Sequence, residues 1–200
     1  MKYTKEQKML SFAYMAYYGF DLVGSDSENA QKILFDINRA LKTWKPVKDD
    51  WEVVWGPGIF LFRGDKFDDN LMYVVKNKSA PSKYAIAIRG TNPVSLKDWL
   101  LEDFNVGALT KWKYGNPSSA IKPKISRGTH LGLTHLQEMK AEQGVPGEGK
   151  TLLEFLADEL DDVSHQEVCV TGHSLGGVLA PTLALWLKDI QGSSLPEGPQ

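Results

Sequence analysis

A ten-residue stretch, Val168 to Gly177, constrains the fold more than any other part of the sequence. It contains a Gly-x-Ser-x-Gly pattern made by Gly172, Ser174 and Gly176. A short β-branched run enters the pattern, and an apolar segment of helical character, Val178 to Ile190, follows it. This order predicts a strand, a sharp turn with the serine at its tip, and then a helix, which is typical of the nucleophile elbow of serine hydrolases.

The spacing suits acyl transfer because the nucleophilic hydroxyl must project free of the main chain from a strained turn. Glycines two residues to either side let neighbouring backbone pass close without a clashing Cβ. A helix that begins just after Ser174 would direct its free N–H groups and its positive dipole end at the same point. We therefore expect Ser174 to be the nucleophile and the Leu175 N–H to be one oxyanion donor. Gly172, His173 and Gly176 complete the predicted elbow.

Composition limits the other classes of function. The chain has 200 residues, of which 42% are hydrophobic, so one domain with a substantial core is expected. A net charge of −2 without charge runs gives no indication of nucleic acid as the main partner. The single cysteine, Cys169, excludes a disulfide within these residues, and the usual Cys/His spacing of a zinc site is absent. We expect no metal and no organic cofactor.

The pattern before residue 49 indicates a helical lead-in. Residues 3–19 and a segment ending before Pro46 each carry one apolar face of a helix. The first segment lacks the apolar core of a signal peptide, and no stretch reaches the roughly 18 apolar residues of a membrane span. We place the core of the domain at residues 49–191 and an exposed tail at residues 192–200.

The core begins with strand patterns. Trp51–Trp55 and Ile59–Arg63 flank Gly56-Pro57-Gly58 and are interpreted as a hairpin. Leu71–Lys76 follows as a further strand, and Lys83–Arg89 has the near-continuous apolar character of a central strand.

Helix and loop patterns alternate after that strand. We expect helices at residues 95–104, 128–142 and 151–160, and a loop at residues 105–124. In this loop Trp112 and Tyr114 are expected to be packing residues rather than ligand contacts.

Several of these motifs occur together in a known order. Arg89-Gly90-Thr91, Asp98-Trp99, Gly128-Thr129-His130-Leu131-Gly132 and Gly172 to Gly177 follow one another as they do in class 3 lipases. From about residue 50 to 190 the sequence resembles that family. The resemblance implies an α/β-hydrolase fold with a mostly parallel central sheet flanked by helices.

The resemblance also implies roles for individual residues. Thr91 matches the Ser or Thr whose N–H is the first oxyanion donor in these lipases. A main-chain N–H at the carboxyl end of a central strand also lies where ligands bind in open α/β sheets. The segment after Thr91 corresponds to the family's lid, with Val94, Leu96, Trp99 and Leu100 as candidate lid residues or, alternatively, as members of a fixed packing helix. His130 and His173 match histidines of these lipases, and in the family neither of those histidines is the catalytic base.

The sequence departs from the family pattern after the elbow. In α/β-hydrolases the triad follows the order Ser, Asp or Glu, His. Only 26 residues follow Ser174, and none of them is a histidine. Three explanations remain open: the C-terminal strands, acid and base lie on a second chain or a removed segment; one of His130, His135, His165 and His173 has been recruited as the base; or the chain is a non-catalytic hydrolase-like module.

The expected activity is therefore carboxylic ester hydrolysis through an acyl-enzyme on Ser174. A triacylglycerol lipase is the leading expectation, and a feruloyl esterase or phospholipase on the same core is the alternative, because fold does not fix substrate. The expected partners are an ester or lipid substrate, with transient contact to a lipid interface, and the remainder of the hydrolase. The sequence assigns no compartment.

Overall fold

The computed structural model describes residues 2–22, 26–60, 70–90, 107–115, 123–160 and 166–191. Its helices are α1 Lys5–Met15, α2 Asp26–Thr43, α3 Arg127–Glu138, α4 Leu152–Glu159 and α5 Leu175–Asp189. Its strands are β1 Trp51–Phe60, β2 Asn70–Asn77, β3 Lys83–Arg89, β4 Leu109–Lys111, β5 Lys124–Ser126 and β6 Glu167–Gly172. Within these ranges, no helix has the length and apolar character needed to span a bilayer.

The main sheet has the strand order β1-β2-β3-β6. The β1–β2 and β2–β3 pairs are antiparallel, whereas β3 and β6 are parallel, with Ile86 opposite Val170. The sheet is thus mixed in the described part of the chain, and this differs from the mostly parallel sheet that we expected. The difference arises because β1, β2 and β3 follow one another as a meander, and only the step from β3 to β6 passes through helices.

Helices cover both faces of the sheet around β6. The Thr171 hydroxyl donates to the main-chain oxygen of Met9 in α1, and Glu167 on the same face bonds Lys5. The alternate residues Val168 and Val170 face a groove formed with α4 and α5. This alternation follows from the two-residue period of a strand. The strand that leads to Ser174 is therefore held between α1 on one side and α4 and α5 on the other.

The hairpin predicted at residues 51–63 is wrong. Trp51 to Phe60 form one continuous strand, which pairs with β2 rather than folding back on itself. Gly56 has a φ of 81°, and register shifts occur between Val53 and Trp55 and between Trp55 and Gly58. These irregularities absorb the Gly-Pro-Gly segment as bulges within the strand, so turn-forming residues do not produce a turn here.

The core lies on β2 and β3 and under the helices. Leu71 to Val75 and Tyr84 to Ile88 are all buried. The buried Tyr73 hydroxyl donates to the Phe12 main-chain oxygen at 2.7 Å, so α1 is tied to the middle of the sheet. Because that hydroxyl is paired, its burial carries no unsatisfied polar group.

The connection between β3 and β6 differs in part from the sequence prediction. β4 lies inside the segment expected to be a loop, and it pairs antiparallel with β5, which begins at the last residue of that segment. α3 ends at Glu138, four residues earlier than expected, and a bridge between Lys140 and Thr151 follows it. α4 begins as expected, with Thr151 and Glu154 forming a capping box. The helix expected at residues 95–104 and the tail at residues 192–200 lie outside the described residues.

Candidate active site

Ser174 lies at the junction of β6 and α5. It follows the strand by two residues and immediately precedes the helix. Its φ of 56° and ψ of −127° are strained for a residue with a side chain. Ser174 is exposed, and its hydroxyl has no hydrogen-bond partner among the described residues. The local geometry therefore presents a free hydroxyl from a strained bend, as a nucleophile elbow requires.

Close backbone packing explains the two glycines that flank the bend. A Cβ on Gly172 would lie 2.2 Å from the Gly176 oxygen, and one on Gly176 would lie 2.3 Å from the Ile88 oxygen. Neither distance is compatible with a side chain. Gly177 differs, because the nearest atom to its Cβ position is 3.4 Å away. Gly172 and Gly176 thus let α5 begin directly against the ends of β3 and β6.

The turn that leaves β3 touches the start of α5. A Cβ on Gly90 would lie 2.8 Å from the Leu175 nitrogen and 2.9 Å from the His173 oxygen. Leu175 is the first residue of α5, where main-chain N–H groups lack partners within the helix. Thr91, the next residue after Gly90, lies outside the described residues. The structure thus brings the β3 turn to the elbow but does not describe the second predicted donor.

Two tyrosines of the N-terminal segment hold His173. The Tyr17 hydroxyl lies 3.1 Å from His173 Nδ1 and donates to the His173 main-chain oxygen at 3.3 Å. Tyr14 stacks on the same imidazole, with ring centroids 5.5 Å apart. These contacts orient the ring of His173 toward α1. The sequence does not predict these contacts, because the helical period places Tyr17 on an apolar face without indicating what that face contacts.

The surroundings of Tyr17 also connect it to the β3 turn. Burial raises the pKa of the Tyr17 phenol, while the Gly90 main chain and the Arg89 charge oppose that rise. Arg89 is the last residue of β3 and is fully buried. The Tyr17 hydroxyl thus interacts with the main chain of Gly90, the residue before Thr91, and with that of His173, which lies two residues before Leu175.

The remaining histidines have other surroundings. His135 is only 8% exposed and stacks on Phe60 at a centroid distance of 3.9 Å. Burial, followed by the Lys113 charge, lowers the pKa of His130, whose Nδ1 is buried without a hydrogen-bond partner among the described residues. His165 lies outside the described residues. None of the described histidines forms a hydrogen bond with the Ser174 hydroxyl.

The aromatic residues before β5 are packing residues, as expected. The Trp112 indole N–H donates to Asp189 Oδ2 at 2.6 Å, and Tyr114 packs edge-on against Trp186. Both contacts are with α5. The candidate lid residues Val94, Leu96, Trp99 and Leu100 lie outside the described residues. Within the described ranges, no group of three or more His, Cys, Asp or Glu side chains could hold a metal ion.

Two comparisons with known proteins find lipases. A family model described as lipase (class 3) matches residues 85–194, which is more than half of the chain. A solved structure, described as the crystal structure of M37 lipase, matches with a TM-score of 0.86 and 50% sequence identity. The match covers 98% of this chain and 58% of that chain. The comparison with curated proteins gives no match.

The structural match shows that the fold is α/β-hydrolase-like. The matched family segment contains all but the first two residues of β3, together with the elbow and α5. The chain therefore belongs to the class 3 lipase family.

Proposed function

We propose that the protein is a serine carboxylic ester hydrolase that acts through an acyl-enzyme on Ser174. The observation that carries this proposal is the strained, exposed Ser174 between β6 and α5, with the β3 turn packed against the next residue. Membership of a lipase family supports an ester as the substrate. The similarity to M37 lipase supports the same class of reaction.

In the proposed mechanism the Ser174 oxygen attacks the ester carbonyl, and a base takes the hydroxyl proton. The N–H groups of Leu175 and Thr91 bind the oxyanion that forms, and the positive end of the α5 dipole favours its charge. Collapse of the tetrahedral intermediate expels the alcohol, which receives the proton from the base. Water then attacks the acyl-enzyme by the same route and releases the acid.

We propose that the base and the acid lie on the remainder of the same hydrolase, as a second chain or a separated segment. Two observations support this source. The Ser174 hydroxyl has no histidine partner among the described residues, and this chain spans 58% of the length of the M37 lipase chain that it matches.

The surface beside β6 supports the same proposal. β6 is the outer strand of the described sheet, and all of its residues are only partly buried. Val168 and Val170 line an apolar groove of about 270 Å³ together with Leu156. On α5, Val178 and Leu185 are 44% and 48% exposed. An uncovered strand edge beside apolar side chains favours pairing with further chain.

Within the ester hydrolases we propose a triacylglycerol lipase as the first candidate. A feruloyl esterase or phospholipase is the alternative within the same fold. The rate as a function of triglyceride concentration distinguishes them. A jump at the solubility limit would support a lipase whose lid opens at an interface, whereas a smooth hyperbola would support an enzyme for soluble esters.

Fluorophosphonate labelling followed by intact mass measurement tests the proposal. We expect one adduct on Ser174 when the remainder of the hydrolase is present, and none in Ser174→Ala. Ser79→Ala, which removes another exposed serine hydroxyl, is the matched control and should label normally. Labelling of this chain alone would assign the base to one of its own histidines. The absence of label on any folded preparation would instead support a non-catalytic module.

A further inference from the structure

A second cavity lies at the end of the sheet opposite Ser174. It has a volume of about 540 Å³ and is formed by the first residues of α1, the starts of β3 and β6, and residues next to β1 and β2. Glu167 and Cys169 both line this cavity, and from Cys169 β6 extends three residues to Gly172, or roughly 10 Å at about 3.3 Å per residue. The cavity is therefore distinct from the elbow, and its volume is in the usual range for ligand sites.

The cavity carries an excess of positive charge. Four lysines line it, Lys2, Lys5, Lys8 and Lys83, against two carboxylates, Asp50 and Glu167. Glu167 already accepts Lys5 at 2.5 Å and approaches Lys83 at 3.5 Å. Lys2 and Lys8 form no ion pair with any residue that the structure describes. On a protein whose net charge is −2, this excess is local and favours an anion.

The amino end of α1 adds to this positive field. Thr4 caps the helix, its hydroxyl accepting from the Gln7 N–H, and Lys5 is the first helical residue. The N–H groups of the first turn and the dipole of an 11-residue helix favour negative charge at this end.

Part of the cavity lining is apolar, and one of its side chains carries an unpaired donor. Met9, Ala80 and Trp51 line it, and Trp51 is only 6% exposed. The Trp51 indole N–H is buried and has no hydrogen-bond partner among the described residues. Buried donors are normally paired, so an unpaired one in the cavity lining favours a ligand that carries a hydrogen-bond acceptor.

We propose that this cavity binds an anionic amphiphile, with a carboxylate at the lysines and an apolar chain against Met9 and Trp51. The exposed lysines Lys5 and Lys83 and the buried Trp51 match the two halves of such a molecule. The proposal does not depend on Ser174 being catalytic. A long-chain carboxylate is the simplest ligand of this class.

The thiol of Cys169 allows a direct test. Cys169 lines the cavity, is half-buried, and is the single cysteine of the sequence. The rate of its alkylation by iodoacetamide, followed by intact mass, therefore reports on this site alone. With decanoate at ten times its Kd, we expect alkylation to slow about tenfold, because only the unoccupied fraction reacts. In urea, where the site is unfolded, decanoate should have no effect.

Charge variants and other ligands complete the test. In the double variant Lys2→Glu with Lys8→Glu, the decanoate concentration that half-protects Cys169 should rise at least about tenfold. The double variant Lys32→Glu with Lys42→Glu makes the same charge change on α2, away from the cavity. In this control, decanoate should protect Cys169 as in the unchanged protein. Decanoate should also protect Cys169 normally in Ser174→Ala. Loss of protection in Ser174→Ala, equal protection by decanol or inorganic phosphate, or no protection would each overturn the proposal.

Discussion

The Leu175 nitrogen lies 2.8 Å from the position that a Cβ on Gly90 would occupy. The first turn of α5 and the end of β3 are thus in contact through main chain alone. For the proposed oxyanion site this contact matters, because it joins the Leu175 N–H to the turn that leads to Thr91.

The first prediction concerns Gly90. In Gly90→Ala the added methyl must displace either the Leu175 nitrogen or the β3 turn, so the two predicted donors should no longer converge. We expect kcat/KM for a chromogenic ester to fall on the order of 10²-fold, as for loss of one oxyanion donor. Full activity in Gly90→Ala would show that the turn can move without affecting the site.

The second prediction compares two adjacent glycines of α5. Alanine at either position improves helix propensity by up to about 1 kcal/mol. At Gly176 the methyl would lie 2.3 Å from the Ile88 oxygen, whereas at Gly177 the nearest atom is 3.4 Å away. Gly176→Ala should therefore lower the thermal midpoint, and Gly177→Ala should leave it unchanged or raise it. Equal midpoints for the two variants would contradict the packing described for the elbow.

The third prediction concerns the link between the N-terminal segment and the elbow. Tyr17→Phe removes the hydroxyl that contacts both His173 Nδ1 and the His173 oxygen. We expect ester hydrolysis to slow several-fold, up to about tenfold, since a hydrogen bond contributes about 0.5 to 1.5 kcal/mol. Tyr14→Phe keeps the stacking on His173 and is the matched control. A similar loss in both variants would point to packing rather than to the hydroxyl.

The fourth prediction concerns pH and His130. Burial lowers the pKa of this imidazole in the folded state, so the unfolded chain binds the proton more readily. Stability from His130 is therefore complete above the unfolded pKa of about 6.5 and is lost as the pH falls from there toward the folded pKa. His130→Gln should show a smaller drop in thermal midpoint between pH 7.5 and pH 5 than the original protein. An equal drop would assign the pH dependence to other groups.

Sequence reasoning was most successful where local pattern and backbone geometry coincide. The glycines at 172 and 176 predicted the bend at Ser174 because their spacing follows from main-chain contacts that no other residue allows. β3 was recognisable because a strand buried on both faces is apolar at successive positions.

The errors arose where distant contacts decide the structure. Gly56 is a turn former by composition, yet pairing of β1 with β2 keeps the strand continuous through it. The partnership of Tyr17 and His173 joins residues 156 positions apart, so no local pattern could indicate it. The order of strands in the main sheet depends on the same kind of long-range pairing.

The backbone of Ser174 has a consequence for heat resistance. A side chain at positive φ costs on the order of 1 to 3 kcal/mol, and glycine in the same place would avoid most of that cost. The hydroxyl proposed to attack the ester is thus retained at the expense of folding free energy. Folding stability and the proposed catalytic role are therefore opposed at this single residue. A selection for thermal tolerance alone would favour its replacement by glycine.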